Sequence, residues 1–150
     1  MTQSRRELAT SAWAALLRTH AALVPELDRT VQQKVGLPLS WYDVLLELAA
    51  APCRRLRMTE LGERVVLSRT RVSRIVDDLV DAGLVCREEN AADKRSAYAK
   101  ITERGLARYR EAAPHYLQAI EEQFAASLTD TQLRAIASAL SRVVPPPQTT

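Results

Sequence analysis

Apolar residues recur at helical spacing from residue 5 to about residue 34, at Leu8, Trp13, Leu16, Leu17, Leu23, Leu27 and Val31, as one face of an amphipathic helix requires. Pro25 falls inside this run. It removes a backbone donor and crowds the preceding turn, so the pattern predicts a helix kinked or split there. Gly36-Leu37-Pro38 stops it. Ser40-Trp41-Tyr42-Asp43 then reads as a Ser cap with an acid three residues on, opening a second helix through Leu45, Leu46 and Leu48 to about Ala50, closed by Pro52. A third, short helix is expected from Thr59 or Met58 to Val65. Ser68 can cap a fourth, running from Arg69 to Ala82 and ended by Gly83.

Beyond Gly83 the period changes. Leu84-Val85-Cys86-Arg87 and Ala97 to Ile101 read as the two arms of a hairpin, the second alternating as a strand does. Thr102-Glu103-Arg104-Gly105 starts a long helix to about Ser127, bent near Pro114, and Thr129-Asp130-Thr131-Gln132 caps a last one reaching Val143 before Pro145-Pro146-Pro147. The expected fold is mainly α with one small β-hairpin. At 150 residues it fits one domain with a real core.

Two short helices joined by a tight turn, Thr59 to Ala82, fit a helix-turn-helix. Leu61, Val65, Val72, Ile75, Val76 and Leu79 have the spacing to bury one contiguous face. The other face of the second helix begins with Ser68, Arg69, Thr70, Arg71, Ser73 and Arg74, while Asp77, Asp78 and Asp81 follow. A helix built only for stability prefers acids first and cations last, to match its dipole. The reverse order suits a helix whose leading end enters a DNA major groove. A solvated polar face is the plainer alternative.

The hairpin after this helix is then a wing, and Lys94 and Arg95 near its tip can reach an adjacent minor groove. Asp93 is better placed to pair with Arg95 or a neighbouring Arg, or to hold the turn, than to meet phosphate. Charge agrees with this placement. Residues 53 to 110 carry 14 Lys/Arg against 9 Asp/Glu, a net of +5, while the rest of the chain carries 7 against 9. A basic middle with slightly acidic flanks suits a polyanionic partner.

Met58-Thr59-Glu60-Leu61, Ser68-Arg69-Thr70, Leu79-Val80-Asp81-Ala82-Gly83-Leu84-Val85, Asp93-Lys94-Arg95-Ser96 and Ile101-Thr102 resemble the MarR family of bacterial transcriptional regulators over essentially the whole chain. The resemblance implies a winged helix-turn-helix lobe (residues 39–102) flanked by helical dimerisation segments (1–38 and 103–144). It further implies a homodimeric repressor on palindromic double-stranded operator DNA, its affinity tuned by a small aromatic or anionic effector or by thiol oxidation. Carried over by position, Ser68, Arg69, Thr70, Ser73 and Arg74 read DNA and Arg95 enters the minor groove. Pro25 departs from the family's straight first helix.

Trp13, Leu17, Leu117, Ile120, Phe124, Leu128, Leu133, Ile136 and Leu140 put more apolar surface on the first and last helices than three helices can cover alone, so a second copy is expected. Trp13, His20, Trp41 and Tyr42 could line a ligand crevice, or simply belong to the core. Cys53 and Cys86 make no metal or redox spacing with each other or with His20 and His115, so no metal or other cofactor is expected. The family's peroxide sensors use a first-helix Cys, which this chain lacks, and a thiol-responsive regulator is the weaker alternative.

Nothing assembles a nucleophile with its base, a carboxylate pair or a phosphate-cradling Gly loop, so no enzyme is expected. Ser4-Arg5-Arg6 resembles a twin-arginine start, but Arg18 and His20 break the apolar stretch that should follow. Every apolar run is interrupted well before about 18 residues, so a cytoplasmic protein with no membrane partner is expected. A winged helix used purely as a protein-interaction module is the remaining alternative, although it would have little reason to gather Arg69, Arg71, Arg74 and Arg95 on one surface.

Overall fold

The computed structural model describes residues 3–65, 69–93 and 96–146. Along the chain run α1 (Arg5–Val35), α2 (Leu39–Ala50), a 3-10 turn at Pro52–Arg54, β1 (Arg55–Arg57), α3 (Met58–Arg64), α4 (Arg69–Asp81), β2 (Val85–Glu88), β3 (Tyr98–Ile101), α5 (Glu103–Gln123), a second 3-10 turn at Ala125–Ser127 and α6 (Asp130–Val143). The order is that of a mainly α winged helix-turn-helix.

α1 forms as one unbroken helix through Pro25, so the expected split does not occur. Pro25 stands on the exposed side, where water can take the carbonyl whose partner the proline ring removes. The ends are well determined. Ser4 and Glu7 make a reciprocal capping box, and Gly36, left-handed at φ 66°, closes the helix by donating its N–H to the Gln32 carbonyl at 2.8 Å.

The second helix also differs from expectation. It begins at Leu39 behind Pro38, not at a Ser40 cap. Its first free N–H, on Leu39, donates to Asp28 Oδ1 of α1 at 2.7 Å. A carboxylate eleven residues away satisfies the helix start, which no local motif could announce.

α2 lies at the centre, with Val44, Leu45 and Leu48 fully buried. Its Tyr42 is buried against Tyr109 and Tyr116 of α5, ring centres 5.4 and 4.9 Å away. The six apolar residues expected to line the helix-turn-helix are all buried: Leu61, Val65, Val72, Ile75, Val76 and Leu79. The hairpin is present, and a third strand completes it. β1 pairs antiparallel with β3, giving a sheet of order β1-β3-β2. Arg55-Leu56-Arg57 alternates exposed, buried, exposed, but three residues between charged neighbours carry too little pattern to separate from a loop.

One junction joins the recognition unit to the last helices. α4 ends in a Schellman arrangement at Gly83 (φ 74°), the Leu84 N–H reaching the Leu79 carbonyl and the Gly83 N–H the Val80 carbonyl, both at 2.9 Å. Thr102 then serves both sides. Its N–H donates to the Leu84 carbonyl at 3.0 Å and its hydroxyl to the Gly83 carbonyl at 2.8 Å, while the same hydroxyl oxygen caps α5 by accepting from the Gly105 N–H at 3.0 Å.

Asp43 sits half-buried on α2, one turn before Glu47. Burial first, and the Glu47 charge second, push its carboxyl from the ordinary 3.8 up to about 6. Between those values the unfolded chain has released a proton that the folded chain keeps, so stability falls as pH rises through this window and stays lower above it. Asp43→Asn is therefore expected to raise the urea midpoint at about pH 7.5 and to change it little at about pH 4. An equal gain at both pH values would contradict this assignment.

Candidate DNA-binding interface

α4 turns Val72, Ile75, Val76 and Leu79 into the core and leaves Thr70, Arg71 and Arg74 exposed, with Ser73 half-buried between them. No acid stands in its first turn. Asp77, Asp78 and Asp81 are exposed further along. The structure therefore gathers Thr70, Arg71 and Arg74 into a single stripe, one turn deep, at the leading end of the helix. Arg74 has no hydrogen-bond or ion-pair partner among the described residues, so its guanidinium fork is open to an external acceptor. Asp77 is the first acid along α4 after this stripe. It accepts a hydrogen bond from Arg87 of β2 at 2.6 Å, which tempers its repulsion of an approaching phosphate. Nothing in the sequence marked Arg87 for that role, since the pairing depends on how the hairpin folds back on α4.

The wing's turn is tied from within. Asn90 accepts at its side-chain oxygen from the Ala92 N–H (3.1 Å) and at its carbonyl from the Asp93 N–H (3.2 Å). Its side-chain amide donates to Ser96 Oγ (3.1 Å), and the Ser96 N–H donates to the Asp93 carbonyl (3.1 Å). Asp93 thus holds the turn through its backbone, as Asn90 does through its side chain. The field of Asp93 also reaches Arg57, whose guanidinium is raised chiefly by the Tyr98 hydroxyl and charge and least by Asp93. Ser68, Lys94 and Arg95, and the side chain of Arg69, lie outside the described residues.

The root of the wing adds cations that the sequence reading passed over. Arg55 of β1 pairs with Glu88 of β2 at 2.9 Å, and Lys100 of β3 reaches the same carboxylate at 3.3 Å. Those two cations, Arg55 foremost, pull the Glu88 carboxyl below its ordinary range.

The four aromatic and histidine positions suggested for a ligand crevice part company. Tyr42 is sealed in the core and Trp41 packs half-buried against it, while Trp13 and His20 stand exposed on the amino-terminal half of α1. Cys53 and Cys86 are free and exposed. Among the described residues no group of three or more His, Cys, Asp or Glu could hold a metal ion, and no helix is long and apolar enough to cross a membrane.

Comparison with known proteins agrees with this geometry. A model of the MarR family matches residues 35–96, from the end of α1 to the wing. The HTH-type transcriptional regulator MhqR of Bacillus subtilis (strain 168) is 24% identical over 86 residues, which is 57% of this chain and 59% of MhqR, so the chain spans under two thirds of that relative. Two solved structures from Streptomyces coelicolor cover more. Sco3205, a MarR family transcriptional regulator solved in complex with DNA, is 31% identical with a TM-score of 0.83, over 95% of this chain and 88% of its own. AbsC, a MarR family transcriptional regulator, is 28% identical with a TM-score of 0.81, over 95% of both chains.

Proposed function

Because the chain belongs to the MarR family of DNA-binding transcriptional regulators, we propose that it acts as a homodimeric repressor, occupying a palindromic operator with one α4 helix in each of two successive major grooves. The observation that carries the reading is the α4 stripe of Thr70, Arg71 and Arg74, cationic at the end where a helix dipole disfavours cations and backed by a fully packed core. By sequence position alone, Ser68, Arg69 and Ser73 are proposed to join them in reading DNA, and Lys94 and Arg95 to serve the minor groove.

The dimer is supported by surface left uncovered. α6 buries no residue at all, and α1 buries none before Leu27. Trp13 is 61% exposed and Leu117 59%, with Leu8, Leu17 and Leu140 also open. Such a set in water implies a partner face, and a second copy supplies it with two-fold symmetry. Trp13 then belongs to the subunit interface. Half-sites about 34–36 Å apart follow from that symmetry.

The test is retention of fragments from the organism's own genome, followed by titration of the recovered duplex and a scrambled one. Specific binding should exceed random binding by at least about 10³ at physiological salt. Equal affinities would leave only the protein-interaction alternative. In the same assay Arg95→Ala should weaken both duplexes nearly alike and flatten the dependence of log K on log salt by about 0.9 per lost contact in each subunit. An unchanged slope would remove the hairpin from the DNA interface.

A further inference from the structure

At the root of the wing, on the sheet edge opposite β2, strand β1 exposes Arg55 and Arg57 and buries Leu56. Register sets Arg55 opposite Lys100 and Arg57 opposite Tyr98. The two guanidinium carbons lie 4.6 and 5.9 Å from the centre of the Tyr98 ring. Where this edge meets the end of α2 and the start of α3, an open cleft of about 350 Å³ is lined by Cys53, Arg55, Arg57, Glu60, Arg64 and Tyr98, with Pro52 and Leu56 as apolar floor. That volume is at the small end of ligand pockets.

Among the residues that line this cleft cations outnumber acids, and Glu88 and Glu47 reach Arg55 and Arg64 from outside the lining. Three guanidiniums face one lining carboxylate, that of Glu60, and a Glu60 oxygen already accepts the Arg57 backbone N–H at 3.0 Å. Arg55 is engaged by Glu88 at 2.9 Å, but Arg64 meets Glu47 only at 3.8 Å, beyond hydrogen-bonding distance. The Arg57 side chain has the Tyr98 hydroxyl, 3.5 Å from Nε, as its hydrogen-bond partner. Three guanidiniums and an aromatic ring lining one cleft match a tetrahedral oxyanion better than a neutral or cationic ligand.

We propose that this cleft is an oxyanion-binding site for a phosphate group, held by Arg57 and Arg64 with Arg55 supplying field. The site is distinct from the α4 stripe. It joins the first helix of the helix-turn-helix, which Arg57 precedes, to the wing strand that Tyr98 begins, so an occupant fixes one against the other. The phosphate can come from a small free phosphate compound or from DNA backbone outside the base-reading contacts. Only the second source rests on the regulatory function proposed above.

The probe is inorganic phosphate added to the isotope-labelled full-length protein at low ionic strength, followed by NMR against chloride at matched ionic strength. Amide signals of Cys53, Arg55, Arg57, Glu60 and Tyr98 should move together and saturate. Arg57→Gln, at an exposed strand position, should weaken that binding about tenfold with the remaining spectrum unchanged, the factor expected for one lost charge-assisted hydrogen bond. Arg64→Gln is the second variant and should act in the same direction. Operator titrations then separate the sources. A salt slope lowered by about 0.9 per subunit in Arg57→Gln assigns the site to DNA phosphate, and an unchanged slope assigns it to a free compound. Phosphate shifts that fail to saturate, or that are the same in wild type and both variants, overturn the site. Loss of operator binding by the wild type would sink the regulatory reading and leave the phosphate titration standing.

Discussion

Replacing Gly105 with alanine is expected to cost about 3 kcal/mol or more of folding stability, the upper range for forcing an atom into a packed site. A β-carbon there would fall on the Leu84 carbonyl oxygen and within 2.9 Å of Ile101 Cγ1. Backbone, unlike the end of a long side chain, has nowhere to yield. Relief would pull Leu84 from Thr102, breaking the bond that joins the end of α4 to the start of α5. β2 starts one residue after Leu84 and β3 ends at Ile101, so the wing would shift with it and DNA binding should fall as well. Gly36→Ala is the matched control. Gly36 has φ +66° and nothing within 4 Å of an added β-carbon, so it should suffer only the left-handed backbone strain of about 1–2 kcal/mol. Urea unfolding of both variants checks the difference, and equal losses would show that packing at Gly105 does not hold the junction.

If the proposed dimer forms, deleting residues 129–150 is expected to convert it to a monomer and to lower operator affinity by about 10²–10⁴, the avidity that two linked half-site contacts supply. Because α6 buries no residue of its own lobe, the truncated chain should lose only the helical circular dichroism of α6 itself and keep a cooperative urea transition. Sedimentation and operator titration are the measurements. A truncated chain that remains dimeric would reassign the interface, and one that loses its fold would show α6 to be part of the lobe's core.

How far the sequence alone carries can be seen element by element. α4 was legible because its signals are local: apolar residues at helical spacing, cations leading acids, and Gly83 where a left-handed residue is needed. Thr102 as the start of a helix and Thr129 as a cap were legible for the same reason, and each accepts a backbone N–H. What escaped depends on distant partners. The start of α2 is set by Asp28, β1 becomes a strand only because β3 offers its edge, and Arg87 meets Asp77 only once the hairpin folds back. Of the kink or split that Pro25 leads one to expect, the split does not occur. The local rule is sound, but an exposed position in a long helix satisfied at both ends lets water absorb the missing bond. Of the candidate site, Thr70, Arg71 and Arg74 are exposed at the leading end of α4, while Trp13 and His20 lie apart from the buried Tyr42.

Whether α4 reads bases in a major groove is tested most directly by Arg74→Ala. Wild type and variant are titrated against the recovered operator, the scrambled duplex and a set of operators each changed at one base pair. Loss of about 1–3 kcal/mol on the operator, little loss on scrambled DNA, and relaxed discrimination at one base pair of each half-site is the predicted result. Equal weakening on every duplex would make Arg74 a phosphate contact, and no change on any of them would contradict α4 as the recognition helix.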